Sequence, residues 1–298
     1  YFFHLAPDLF PSGFIGVDIF FVISGYLITG IVLNQKKYNE WNMVKFYLSR
    51  IMRIVPTLYL TILFFTILSY FIYDPNELLK LSQNSFYSIT FLSNFFFYLE
   101  SGYFQAIHSV NLFLHTWSIS IEMQFYFLYP IFLALFNYRS RSRLFLWLLS
   151  GSFISFLLAQ WGGNGRISYP FIEDYFFMTN VPDWAYFMPF TRIWAFLMGG
   201  LVFQVEKSRF FEKSSGLLSV LSISVIFSTL SYLNTDLPYP SLHALVPVLA
   251  TCVILLQIRR EQVVYSFLTW PPLQFIGKIS YSIYLIHYPL ILLFRHSG

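Results

Sequence analysis

The sequence holds very little charge. Lysine and arginine together number 18, aspartate and glutamate 14, and charged residues make up 11% of the 298 positions, against about 25% in soluble domains. Even a 300-residue soluble fold leaves about a quarter of its unfolded-chain surface exposed, and there are too few charges here to cover it. Cysteine is nearly absent as well. The single Cys252 sits in an apolar run, which excludes intrachain disulfides and any multi-cysteine metal site. No glycine-rich phosphate loop occurs, and the pair His108 and His115 has no third close ligand, so no metal is expected. Ser24-Gly25 lacks the strand–turn–helix setting of a nucleophile elbow. Internal repeats, low-complexity tracts and inverted pairs of broken helices are missing too, and with them the usual sequence pointer to a secondary transporter.

What fills the chain instead is apolar: 57% of the residues, 22% aromatic, with 37 phenylalanines. Such a composition belongs to an integral membrane protein, and it excludes disordered, fibrous and nucleic-acid-binding readings. The expected fold is all-α, a polytopic helix bundle. The net charge of +4 then speaks to orientation in the membrane rather than to a nucleic-acid partner. The opening Tyr1-Phe2-Phe3-His4, just ahead of the turn Pro7 to Gly13, reads as the last turns of a first helix whose beginning is missing. The stop at Gly298 directly follows a spanning segment. One membrane domain over 1–298, incomplete at both ends and lacking C-terminal helices, is therefore expected.

Apolar runs long enough to cross a bilayer cover 14–33, 55–72, 117–136, 144–160, 187–204, 215–233, 242–258 and 275–294. A further run, 84–99, is marginal and carries Asn84, Ser85, Ser88, Ser93 and Asn94. If it does not cross, and the first helix runs outward, 14 of the 18 basic residues face the cytoplasm. If it crosses, most later basic clusters flip outward. The positive-inside rule thus predicts a re-entrant or surface-lying piece at 84–99. The outer loops become 7–13, 73–116, 161–186 and 234–241, and the inner ones 34–54, 137–143, 205–214 and 259–274.

Polar residues within apolar runs are costly, so each is a functional candidate. Asp18 lies one turn into the 14–33 helix, and His4 just before the same short loop. Two helices so joined are antiparallel neighbours, and a carboxylate beside an imidazole suits a general base; the alternative is a helix cap and a headgroup contact. His115, Ser118 and Glu122, beside Trp117, share one helical face, either as a site or as a polar patch joining helices. Between Asn42, a predicted N-cap, and Pro56, Arg50 and Arg53 lie one turn apart. Two guanidiniums suit phosphate, and equally a resting place on anionic lipid. Ser280, Tyr284 and His287 form another face ahead of Pro289, which can open a kink. The loop 161–186 offers Trp161, Tyr169, Tyr175, Trp184 and Tyr186 beside Glu173, Asp174 and Asp183, fitting either a sugar or an interfacial aromatic belt.

Taken in order, the blocks Gly16-Val17-Asp18-Ile19-Phe20-Phe21 to Leu27, Arg50-Ile51-Met52-Arg53, His115-Thr116-Trp117-Ser118 through Glu122 to Tyr126, Arg192-Ile193-Trp194 and Ile276-Gly277-Lys278 to His287 carry a resemblance. From end to end the chain resembles the membrane acyltransferase-3 family, in its bacterial O-acetyltransferase, OafA-like branch. Ser49, Ala195 and Met123 stand where members often have an arginine, a glutamate and a second acid.

The resemblance implies transfer of an acetyl or other short acyl group from cytoplasmic acetyl-coenzyme A to a hydroxyl of a cell-surface glycan. Lipopolysaccharide, exopolysaccharide and peptidoglycan are the acceptors it suggests, at the bacterial inner membrane. It makes His4 the catalytic histidine, with Asp18 and Glu122 beside it, and Arg50 and Arg53 the coenzyme A-binding pair. His115, Trp117, Ser118, Arg192, Tyr284 and His287 become candidates for holding the acceptor. Larger members continue into an extracytoplasmic SGNH-type domain. Direct transfer and a transiently acylated His4 both stay open. Two readings of another class remain: a proton-coupled exporter using the same buried His, Asp and Glu, and a non-catalytic membrane scaffold.

Overall fold

A computed structural model describes residues 11–100, 111–135, 140–164, 181–206, 216–233, 237–257 and 263–297. Among these every regular element is helical, and no strand occurs. Five helices are long and apolar enough to cross a membrane. Three shorter apolar ones, α8 (Ile193–Val205), α9 (Gly216–Tyr232) and α10 (Leu242–Gln257), accompany them.

The first described helix, α1 (Ile15–Lys37), ends on Lys36 and Lys37, cations that suit the negative end of a helix. α2 (Met43–Tyr70) begins at Asn42, whose side chain accepts from Lys45 N at 2.9 Å, the N-cap read from the sequence. It then runs unbroken through Pro56 for 28 residues, where a separate inner piece and a span from 55 were expected. At about 1.5 Å per residue it is roughly 42 Å long, beyond the ~30 Å of a hydrocarbon core. Its first turns, with Arg50 and Arg53, therefore extend the span instead of lying apart from it.

The run 84–99 is not one helix. It is divided between α3 (Pro75–Ile89) and α4 (Ser93–Glu100), with Phe91 between them at φ 57°. Asp74 starts α3 by accepting from the backbone N–H groups of Asn76 and Glu77, while Glu77 accepts from Asp74 N. Neither piece is long enough to span. α3 turns back along α2, with Thr66 against Ser85 (3.3 Å) and Tyr59 donating to the Ile89 carbonyl (3.2 Å). Ser88, Ser93 and Asn94 of the run face α5 (Trp117–Leu135) and the 3-10 turn Leu114–Thr116 before it. Ser88 meets Thr116 at 2.8 Å and Ser93 meets Ser120 at 2.8 Å. Asn94 Oδ1 accepts from Gln124 at 2.9 Å.

Consequently α1 and α5 run parallel. Ser24 meets Glu122, Thr29 meets Tyr129, and Lys36 Nζ donates to the carbonyls of Leu133 and Ala134 (3.2 and 2.7 Å), both chains advancing together. With only α2 returning between them, this is the arrangement required if 84–99 does not cross.

α6 (Arg141–Asn164) comes back antiparallel to α8, Ser152 reaching the Trp194 carbonyl (3.2 Å) and Ser155 the Phe190 carbonyl (2.6 Å). The expected span 187–204 is shorter than read. α7 (Val181–Phe187), a 3-10 turn at Pro189–Thr191 and α8 are separate elements, with Arg192 at the break. Thirteen residues of α8 rise only about 20 Å. α8 lies in near-backbone contact along α1: a Cβ on Gly25 would overlap the Phe196 carbonyl, and one on Gly199 the Val22 carbonyl. In the expected inner loop 259–274 a short helix, α11 (Val263–Leu268), precedes α12 (Pro271–Ser297), which continues through Pro289 without the expected interruption. α12 runs parallel to α2, Tyr281 donating to the Ile54 carbonyl at 3.0 Å and the ring of His296 lying 4.6 Å from that of Tyr73.

Candidate functional site

Between α1, α2, α5 and α12 lies a cavity of about 410 Å³, within the range of small-molecule sites. Four of the sequence-derived blocks contribute to its wall. Arg50, Arg53, His115, Trp117, Ser118, Glu122, Tyr284 and His287 all line it, together with Gly13, Gly16 and Tyr186.

Arg50 and Arg53 mark one end, in the first turns of α2. The Arg50 guanidinium lies 5.6 Å over the Phe46 ring, and its Nε is buried without a hydrogen-bond partner. Neither arginine is in an ion pair; among the described residues that interaction is found between Arg192 and Asp18. Two guanidiniums with no ion pair among the described residues share one cavity wall, and groups of this kind suit an anion.

Glu122 is 4% exposed and occupies the middle. Its Oε1 accepts from Ser24 Oγ at 3.3 Å and from the Tyr126 hydroxyl, and these two hydroxyls are themselves 3.2 Å apart. One donor from α1 and one a turn further along α5 supply what a carboxylate in so apolar a setting requires.

His115, Ser118, Tyr284 and His287 gather toward the other end. The hydroxyls of Tyr284 and Ser118 lie 2.7 Å apart and share the His115 carbonyl as an acceptor, at 2.8 and 3.3 Å. His287 Nδ1 lies 2.6 Å from the Tyr284 carbonyl. A carbonyl only accepts, so Nδ1 carries the proton, and Nε2 is the basic nitrogen of the neutral ring. The His115 and His287 rings stand 5.5 Å apart.

Two expected site residues do not reach the cavity. Asp18 is fully buried and Arg192 is 1% exposed. Arg192 Nη1 lies 3.2 and 3.3 Å from the Asp18 oxygens, and the Tyr239 hydroxyl donates to Asp18 Oδ2. His4 lies outside the described residues, as does the 165–180 part of the aromatic outer loop; Trp184 and Tyr186 of that loop are buried on α7.

Three contributors went unassigned in the sequence. Ser24 and Tyr126 stand inside the quoted blocks, and a search for hydroxyls one helical turn from Glu122 would have found Tyr126. Tyr239 sits in a turn between Pro238 and Pro240, where nothing in its spacing points to Asp18. No group of three or more His, Cys, Asp or Glu that could hold a metal occurs among the described residues.

The chain is 29% identical over 244 residues to an uncharacterized protein of Haemophilus influenzae, covering 80% of this chain and 96% of that one. It is 30% identical over 302 residues to the peptidoglycan O-acetyltransferase OatA of Listeria monocytogenes, covering 98% of this chain and 47% of the relative. The O-acetyltransferase OatA of Staphylococcus aureus is 27% identical over 303 residues, 97% of this chain and 48% of its own. The chain thus spans about half the length of the OatA relatives. No solved structure matches it. Residues 1–297 match the family model described as an acyltransferase domain, and with that match over the whole bundle that builds the cavity, the chain belongs to the acyltransferase domain family.

Proposed function

We propose that this chain is the membrane portion of an O-acetyltransferase that takes an acetyl group from cytoplasmic acetyl-coenzyme A and passes it to a glycan hydroxyl on the outer face of a bacterial inner membrane. The observation that carries the reading is the single cavity joining Arg50 and Arg53 at one end to Ser118, Tyr284 and His287 at the other, past Glu122. In this reading the two guanidiniums hold coenzyme A phosphates at the inner mouth, and the thioester arm rises between the helices. The acceptor hydroxyl approaches from the opposite end, where Ser118, Tyr284, His115 and His287 offer hydrogen bonds and Trp117 and Tyr186 offer stacking faces.

His4 is assigned as general base. It takes the proton of the acceptor hydroxyl as that oxygen attacks the thioester carbonyl. The C–S bond then breaks, and the departing coenzyme A sulfur receives the proton. Base assistance of this kind is worth about 10²–10⁴-fold. The Listeria monocytogenes relative, a peptidoglycan O-acetyltransferase by name, favours peptidoglycan among possible acceptors. Their additional length is compatible with a further extracytoplasmic domain, for which an SGNH-type hydrolase fold is the expectation.

The test is transfer from labelled acetyl-coenzyme A in membranes carrying the full-length protein, with His4→Ala alongside. Label in outer-surface glycan only with His4 intact is the expected result. No coenzyme A turnover in either sample would overturn the reading.

A further inference from the structure

Asp18 and Arg192 are buried together behind the cavity wall, and the geometry around them is specific. Arg192 caps the start of α8 just after the 3-10 turn. Its Nε donates to the Tyr186 carbonyl at 3.0 Å, and its guanidinium carbon lies 4.6, 5.2 and 5.4 Å from the ring centres of Tyr186, Tyr239 and Trp117. The remaining Nη2 meets no hydrogen-bond acceptor, so on that side the cation rests among the rings. Trp117 and Tyr186 in turn line the cavity at the end away from Arg50 and Arg53. One charge pair therefore joins α1, the break between α7 and α8, the start of α5 and the turn holding Tyr239.

We propose that the Asp18–Arg192 pair is a positioning latch for the acceptor end of the cavity, holding the Trp117 and Tyr186 rings in place and moving no proton. Both Asp18 oxygens are engaged by Arg192 or Tyr239, and neither charged residue lines the cavity. With both carboxylate oxygens taken up by Arg192 and Tyr239, the pair has what a buried charge pair needs to fix one arrangement of helices, its own complement. For its activity readout the inference rests on the O-acetyltransferase reading.

The test compares Asp18→Asn, Arg192→Gln, Arg192→Lys and the double Asp18→Asn/Arg192→Gln in the full-length protein, using monodisperse material. Two quantities are measured: the KM and kcat of acetyl transfer, and the alkylation rate by a small maleimide of Val17→Cys in a Cys252→Ala background. Val17 lines the cavity and reports on its wall whether or not transfer occurs. Each single substitution is expected to raise the acceptor KM about tenfold or more, because it strands one buried charge or its fork. The donor KM stays unchanged, and alkylation shifts at least about threefold. The double variant, with two amides and no stranded charge, is expected to return both quantities to within a few-fold of the parent. Arg192→Lys keeps the charge, stays folded and still shows the KM defect.

Equal inactivity of Asp18→Asn and the double variant, with alkylation unchanged, would overturn the latch and place Asp18 in the chemistry. Singles indistinguishable from the parent in both readouts would overturn it as well. A parent protein that transfers no acetyl defeats the activity reading alone, and the alkylation rates still decide the latch.

Discussion

Ser24 Oγ of α1 donates to Glu122 Oε1 of α5 at 3.3 Å, and the Tyr126 hydroxyl donates to the same oxygen. The one carboxylate among the named cavity-lining residues is thus held from two helices, facing a space that the arginines of α2 share.

Replacing Glu122 with Gln keeps the shape but presents a neutral amide to Ser24 and Tyr126. Hydrogen bonds to a charged group contribute about 1.5–3 kcal/mol. We expect acetyl transfer to fall by roughly 10–100-fold while the protein still inserts and purifies as the parent does. Activity within twofold of the parent would show that Glu122 only joins helices.

Arg50→Ala and Arg53→Ala separate donor recognition from chemistry. Each removes a charge-assisted phosphate contact, so the acetyl-coenzyme A KM is expected to rise about tenfold per arginine. A truncated donor such as acetyl-pantetheine, which lacks the nucleotide phosphates, should react equally with parent and variants. The same loss with both donors would make the arginines lipid anchors or structural groups.

The α1–α8 contact tolerates no side chain at its closest points. In Gly199→Val the new side chain meets the Val22 carbonyl and Tyr26 N, backbone atoms that cannot swing away. Overpacking of this kind costs about 1–3 kcal/mol or more, and a lowered melting temperature in detergent, with reduced yield, is expected. Gly277 in α12 is the control. A Cβ there meets nothing within 4 Å among the described residues, so Gly277→Ala should stabilise by up to about 1 kcal/mol through helix propensity.

Asn94 tests the polar seam that holds the broken run in place. Its Nδ2 donates to the buried Phe187 carbonyl at 3.2 Å and its Oδ1 accepts from the partly buried Gln124 at 2.9 Å. Asn94→Leu leaves the Phe187 carbonyl without that donor, at a cost of about 1–3 kcal/mol. Because the seam also positions α7, next to Arg192, the acceptor KM should rise together with the loss of thermal stability. A stability loss with kinetics untouched would confine the seam to scaffolding.

Composition and local period decided a good deal. Sparse charge and abundant apolar residues place the chain in lipid, and apolar runs of helix-spanning length select helices over barrel strands as the way to satisfy its backbone there. The distribution of arginine and lysine predicts an orientation in which 84–99 does not cross, and the parallel run of α1 and α5 agrees with that expectation. Helical spacing placed His115, Ser118 and Glu122 on one face, and Tyr284 and His287 on another, because i, i+3, i+4 and i+7 neighbours share a face whatever surrounds them.

Long-range partners were decided by the tertiary structure alone. Asp18 looked like a companion for His4, fourteen positions away. Among the described residues its carboxylate is engaged by Arg192, 174 positions on, and by Tyr239, 221 positions on. A buried carboxylate requires a donor or a cation, but no periodicity says which helix will bring it. The meeting of the two polar faces with Arg50 and Arg53 around one cavity follows likewise from how the helices pack, and glycine-to-backbone contacts such as Gly199 on Val22 set that packing.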